Sequence, residues 1–121
     1  MRVLVVEPGK KPLVQDIDPG LESMQSIVGG LIQPIYLENA IVLICNDEGK
    51  LLNLPLNRAL RDEAGNIYDI ISGTFFLCAA PPDSDQFAGL TDRQIKAYME
   101  RFSIPEIFLN IDGTLLVLPY L

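Results

Sequence analysis

Residues 45–76 read CNDEGKLLNLPLNRALRDEAGNIYDIISGTFF and are the most informative part of the chain. Apolar, strand-like runs alternate here with polar side chains that a hairpin alone does not require, namely Asn53, Asn57, Arg58 and Thr74. Asn46-Asp47-Glu48-Gly49 has the composition of a turn, in which short polar side chains bond their own backbone. Residues 51–54 then suggest a short strand. Residues 55–66 are polar and irregular, with one helical turn expected around 57–60. Ile67 to Ile71 and Thr74 to Ala79 are β-rich again. Ser72-Gly73 breaks them, where a bulge or a close backbone approach is expected.

On the N-terminal side, Val3 to Val6 and Leu13 to Ile17 form a hairpin around the loop Glu7 to Pro12. Asp18-Pro19 predicts a helix start, with an acceptor at the N-cap and proline at the first helical position. Leu21, Met24, Ile27 and Val28 keep helical spacing, and Gly29-Gly30 stops the helix through a left-handed cap. Ile32 to Leu37 and Ala40 to Cys45 are two strands joined by a tight turn at Glu38-Asn39.

On the C-terminal side, Thr91-Asp92-Arg93-Gln94 is a capping box, with Leu90 and Ile95 as its hydrophobic staple. Ile95, Tyr98, Met99 and Phe102 form the buried stripe of the second helix. Residues 106–121 form a hairpin turning at Asp112-Gly113, a type I′ dipeptide. One face carries Ile107, Leu109, Ile111, Leu116 and Leu118, and the other Phe108, Asn110, Leu115 and Val117. Both are mostly apolar, so the ribbon is expected either to complete the sheet or to dock on a second subunit, with Phe108, Leu115 and Val117 as oligomer contacts. The fold class is α+β: a mixed, mainly antiparallel sheet with two helices, built as hairpin, helix and hairpin and closed by a C-terminal hairpin.

The chain has 121 residues, 49% of them hydrophobic and 21% charged. This describes a single folded domain, 1–121, and excludes a disordered tail. Nine basic residues against a net charge of −7 argue against nucleic acid as a partner, because binding it needs cations opposite phosphates. There is no histidine, which removes the commonest general base and metal ligand together. Cys45 and Cys78 sit in apolar runs without Cys-x-x-Cys spacing and read as reduced core thiols. No signal-peptide pattern or bilayer-length apolar run is seen, so no membrane partner is expected and the location is read as cytoplasmic.

Several pieces in fixed order carry a family resemblance: VEPGKKP at 6–12, IVGG at 27–30, CNDEGKL at 45–51, LPLNRAL at 54–60 and DIISGTFF at 69–76. From Val3 to about Phe102 the chain resembles the family catalogued as domain of unknown function thirty-eight forty-six. The resemblance implies a compact domain, found in bacteriophages, conjugative elements and Gram-positive bacteria, with no assigned activity. It divides the chain into a family-like body, 1–103, and an apolar hairpin, 104–121, outside the resemblance.

Four places invite chemistry. Asn46 to Lys50 has clustered oxygens, but its glycine falls too early for a calcium loop and the closing glutamate is missing, so it reads as a turn with glycine at positive φ. Asn53, Asn57, Arg58 and Thr74 are the candidate ligand-binding residues, since arginine offers a fixed fork of donors for phosphate or carboxylate. The same amides could instead fasten the loop to its own backbone. Ser72 lacks an evident activating base, and Glu7 with Asp69 would need to meet across the sheet to do acid–base work. No catalytic residue, metal or cofactor is assigned. The expected function is a binding protein of a phage or mobile element that takes a small, nucleotide-like ligand or a host protein, in host takeover or counter-defence, as a homo-oligomer. The alternatives are a carboxylate- and arginine-based enzyme on nucleotides or peptides, and a structural oligomerising adaptor.

Overall fold

A computed structural model describes all residues, 1–121. Nine strands and two helices follow in the order β1 (Arg2–Val6), β2 (Leu13–Asp16), α1 (Leu21–Val28), β3 (Ile32–Tyr36), β4 (Ile41–Asn46), β5 (Leu56–Arg61), β6 (Ile67–Ser72), β7 (Phe75–Ala79), α2 (Asp92–Arg101), β8 (Glu106–Ile111) and β9 (Thr114–Pro119). The main sheet has five strands in the order β2-β1-β7-β4-β3, each neighbouring pair antiparallel. The expected α+β class with two helices is what the chain adopts.

Period-two alternation divides the three central strands between two cores. Val3, Val5, Val42, Ile44, Phe76 and Cys78 face one side, where Met24 and Val28 of α1 cover them. Leu4, Val6, Ile41, Leu43, Phe75 and Leu77 face the other, where α2 brings Tyr98 and Phe102 and the β5–β6 hairpin brings Leu60 and Ile71. Both faces are covered, which is why β4 is buried along its whole length. Cys45 and Cys78 are free, buried thiols. Burial pushes their pKa values up, to about 11 and about 12.

The second helix begins as its sequence dictates. The Thr91 hydroxyl accepts from the Gln94 backbone N–H at 3.2 Å, and the Gln94 side chain accepts from the Thr91 N–H at 2.9 Å. The first helix starts later than the Asp18-Pro19 pair suggests: its N-cap is Gly20, without a side-chain cap bond, while Gly29 ends it at φ +78 as expected. The buried Asn46 amide supports that end by donating to the Val28 carbonyl at 3.1 Å. A Cβ on Gly30 would stand 2.9 Å from the same amide nitrogen, so glycine there keeps the approach open.

The stretch 45–76 departs most from its sequence reading. Residues 51–53 form turns instead of a strand, and the irregular, partly helical segment is in fact β5, paired with β6 in a separate two-stranded sheet. A register shift between Leu56 and Arg58 places Asn57 in a bulge, which opposes two residues to one and breaks the alternation of faces. Asn57, Arg58, Ala59 and Leu60 are therefore buried consecutively, a pattern that hydropathy cannot display. The left-handed residue of the loop is Asn53, φ +54, rather than Gly49. Gly73, φ +82, lies where the chain leaves the small sheet for the large one, and a Cβ there would meet Leu54 Cδ1 at 2.8 Å.

The C-terminal hairpin turns at Asp112 and Gly113, both at positive φ, in the register that its turn predicts, Ile111 opposite Thr114 and Ile107 opposite Leu118. It does not complete the main sheet. It stands as a two-stranded ribbon of its own, with Leu109, Ile111, Leu115, Leu116 and Leu118 exposed.

Candidate functional site

The bulge in β5 presents Asn57 and Arg58 to the interior, where both are spent on backbone. The Asn57 amide donates to the carbonyls of Val6 and Gly73, each at 2.9 Å. Its oxygen accepts from Arg58 Nη1 at 2.9 Å. Arg58 is 1% exposed. Its Nε donates to the Phe102 carbonyl at 3.3 Å, and its Nη2 donates to Phe102 and Lys10 carbonyls at 3.0 and 2.6 Å. Nη1 also donates to the Asn57 carbonyl at 3.3 Å. A guanidinium has five N–H donors, and these bonds use them all. Burial draws the Arg58 pKa below its ordinary value, partly offset by the negative charge of Glu106.

Arg58 thus ties the β1–β2 loop, β5 and the C-terminal end of α2 to one another. It has no donor left for a ligand. Asn53 is exposed on its loop and Thr74 is half-buried. The four residues singled out from sequence do not converge on one cavity: of them, only Arg58 lines the main cleft. Glu7 and Asp69 are each paired with a lysine of their own, Lys10 and Lys50, at 3.0 Å. No three His, Cys, Asp or Glu side chains group as metal ligands would.

The main cleft, about 810 Å³, opens between the tip of the β5–β6 hairpin, the end of α2 and the root of β8. Such a volume suits a small molecule of nucleotide size. Arg58 and Phe102 line it, together with Arg61 and Tyr68 from the small hairpin, Arg101 from α2 and Glu38 from the β3–β4 turn. Glu106 bridges its walls: one carboxylate oxygen accepts from the Ala59 N–H at 2.9 Å and the other from Arg61 at 2.7 Å.

Opposite, Arg101 donates to Glu38 at 2.6 Å and lies over the rings of Tyr98 and Phe102, 5.6 and 5.5 Å from their centroids. Burial works to raise the Glu38 pKa. A backbone hydrogen bond, the Arg101 charge and the Tyr98 hydroxyl outweigh it and hold the carboxyl below its usual range. Burial, then the bond to Glu38, pushes Tyr98 up to about 12.

Sequence reasoning missed this cleft because its parts are scattered from residue 38 to residue 119. One signal was present: Glu106 and Asp112 are the only charges after Arg101, and a carboxylate opening an apolar strand asks for a partner.

No helix is long and apolar enough to cross a membrane. No curated protein and no solved structure matches the chain. A family model does, over residues 1–103, ending just after α2 and leaving the C-terminal ribbon outside the match. The chain belongs to the family described as Domain of unknown function (DUF3846).

Proposed function

We propose that the protein binds a small, nucleotide-like molecule in the cleft between the β5–β6 hairpin and the end of α2, and holds it without turning it over. The observation that carries this reading is the meeting of two arginines and an exposed tyrosine, Arg61, Arg101 and Tyr68, around one cavity. Both arginines already have carboxylate partners. The Arg101–Glu38 pair is partly solvated, with the Glu38 side chain 57% exposed. Exposed ion pairs typically contribute about 0.2–1 kcal/mol, so a phosphate with its bidentate fit to guanidinium can compete with Glu38 for Arg101, at the cost of the Tyr98 hydroxyl's bond to Glu38.

Tyr68 supplies a ring for a base to stack on. Asp62, Glu63 and Glu106 also line the cleft. These carboxylates disfavour a polyphosphate and accept hydrogen bonds from ribose or base. A ligand with one phosphate and several donors fits best. Sequestering such a signal would suit the phage or mobile-element setting that the family resemblance implies.

Isothermal titration with nucleoside monophosphates tests the reading. Binding to the wild type, lost in Tyr68→Ala at nearly unchanged melting temperature and in Arg101→Ala with a fall of about 3–8 °C at most, is the expected result. Equal affinity in wild type and Arg101→Ala would overturn it.

A further inference from the structure

We propose that the C-terminal ribbon is a self-association surface, and that its occupant is the same face of a second copy of this chain. The inference is independent of the ligand reading. In the ribbon, Ile107, Leu109, Ile111, Leu116, Leu118 and Tyr120 share one face, as the register dictates. Phe108 and Val117, on the opposite face, are half-buried. Leu115, on that same face, is itself 43% exposed, so the face of Ile107 and Leu109 is the more open of the two, not the sole open one.

The amount of surface suits a dimer. Each of the six side chains leaves 36–60% of its area exposed, on the order of 80 Å² apiece. Two copies face to face, with all of this area covered, bury roughly 1,000 Å², the lower bound for a specific contact. A groove of about 510 Å³ at the root of the ribbon, lined by Gly9, Leu56, Glu106, Ile107, Phe108 and Tyr120, adds to that. When two ribbons pack antiparallel about a two-fold axis, the turn of each, with Asp112, lies over the root of the other, where Glu106 is already paired with Arg61.

Charge selects the same occupant. From Ile107 to Tyr120 the only charged residue is Asp112, at the turn, and the antiparallel arrangement holds the two Asp112 carboxylates at opposite ends. An uncharged, mostly aliphatic face is complementary to itself, as a two-fold contact requires. A lipid surface is a poorer match: the ribbon has no Lys, Arg or Trp to anchor among head groups, and the net charge of −7 repels anionic lipid.

Sedimentation velocity across the micromolar range tests the proposal on the full chain. The wild type should sediment as a species of about 27 kDa, twice the 13.4 kDa chain. Leu116→Glu sets two carboxylates against each other at the contact and should weaken the dimer at least ten-fold; Leu109→Glu is its check. Leu115→Glu, on the other face, should leave the dimer intact, and all three variants should keep the wild-type circular dichroism and melting temperature measured at a dilution where the wild type is monomeric. A wild type that stays monomeric, a dimer indifferent to Leu116→Glu and Leu109→Glu, or a monomer that floats with neutral lipid vesicles would each overturn it.

Discussion

Replacing Arg58 by alanine separates a residue that holds the fold from one that holds a ligand. The substitution removes five hydrogen bonds and leaves the carbonyls of Lys10, Asn57 and Phe102 and the Asn57 side-chain oxygen without their donor. Each orphaned buried acceptor costs about 1–3 kcal/mol, less where water enters the vacated space. The exposed Lys10 segment can recruit water more easily than the Phe102 carbonyl beneath the helix end. With that relief, the expected loss is about 3–5 kcal/mol, comparable to breaking a buried charged network. For a two-state domain of this size the melting temperature should fall by about 10–20 °C.

Arg58→Lys is the sharper variant. Lysine keeps the charge, but its three donors radiate from a single nitrogen and cannot serve the Phe102, Lys10 and Asn57 oxygens together. It should recover less than half of the loss. Thermal and urea unfolding followed by circular dichroism give both numbers. A melting temperature for Arg58→Ala within about 2 °C of the wild type would refute the reasoning, and would return Arg58 to the role of a ligand residue.

Gly73→Ala should cost about 1–3 kcal/mol, because φ is +82 and the new Cβ meets Leu54 Cδ1 at 2.8 Å; adding Leu54→Ala relieves most of the clash yet not the backbone strain, so the double variant stays below Leu54→Ala alone. Thr91→Ala removes the capping box of α2 and should cost about 1 kcal/mol by urea titration. Cys45, Cys78 and Tyr98 have pKa values raised by folding, to about 11, 12 and 12. The folded state then holds protons that the unfolded chain releases, so this stability is complete below pH 9 and declines as the pH climbs from there toward 12. The urea midpoint should fall across that window, and a flat profile would contradict the burial of these groups. Both thiols should resist iodoacetamide at pH 8 until the protein is unfolded.

What was legible in the sequence was whatever depends on local chemistry. The Thr91–Gln94 capping box, the Gly29 stop and the Asp112-Gly113 turn each act within a few residues, and each stands where the sequence puts it. The unbroken apolar runs of β1, β4 and β7 mark strands because both faces of the sheet are covered. The strand β5 was hidden by its own bulge: four buried residues in a row, two of them polar, resemble neither a strand nor a helix. Its polar pair was singled out for the right reason, since amides and a guanidinium among apolar runs do demand partners. Those partners are the carbonyls of residues 6, 10, 73 and 102, which no local reading supplies. The cleft was out of reach for the same reason. Arg61, Arg101 and Tyr68 are unremarkable surface residues until the small hairpin is laid beside the end of α2.

Binding is assigned to that cleft, through Arg61, Tyr68 and Arg101, and not to Asn53, Asn57, Arg58 and Thr74, the polar residues that stand out in the sequence. Amide chemical shifts of the labelled protein, followed by NMR during titration with a nucleoside monophosphate, test it most directly. Saturable shifts confined to Arg61, Tyr68, Arg101, Phe102 and Glu106 are the predicted result. Shifts centred on Asn53 and Thr74, or none at all, would contradict it.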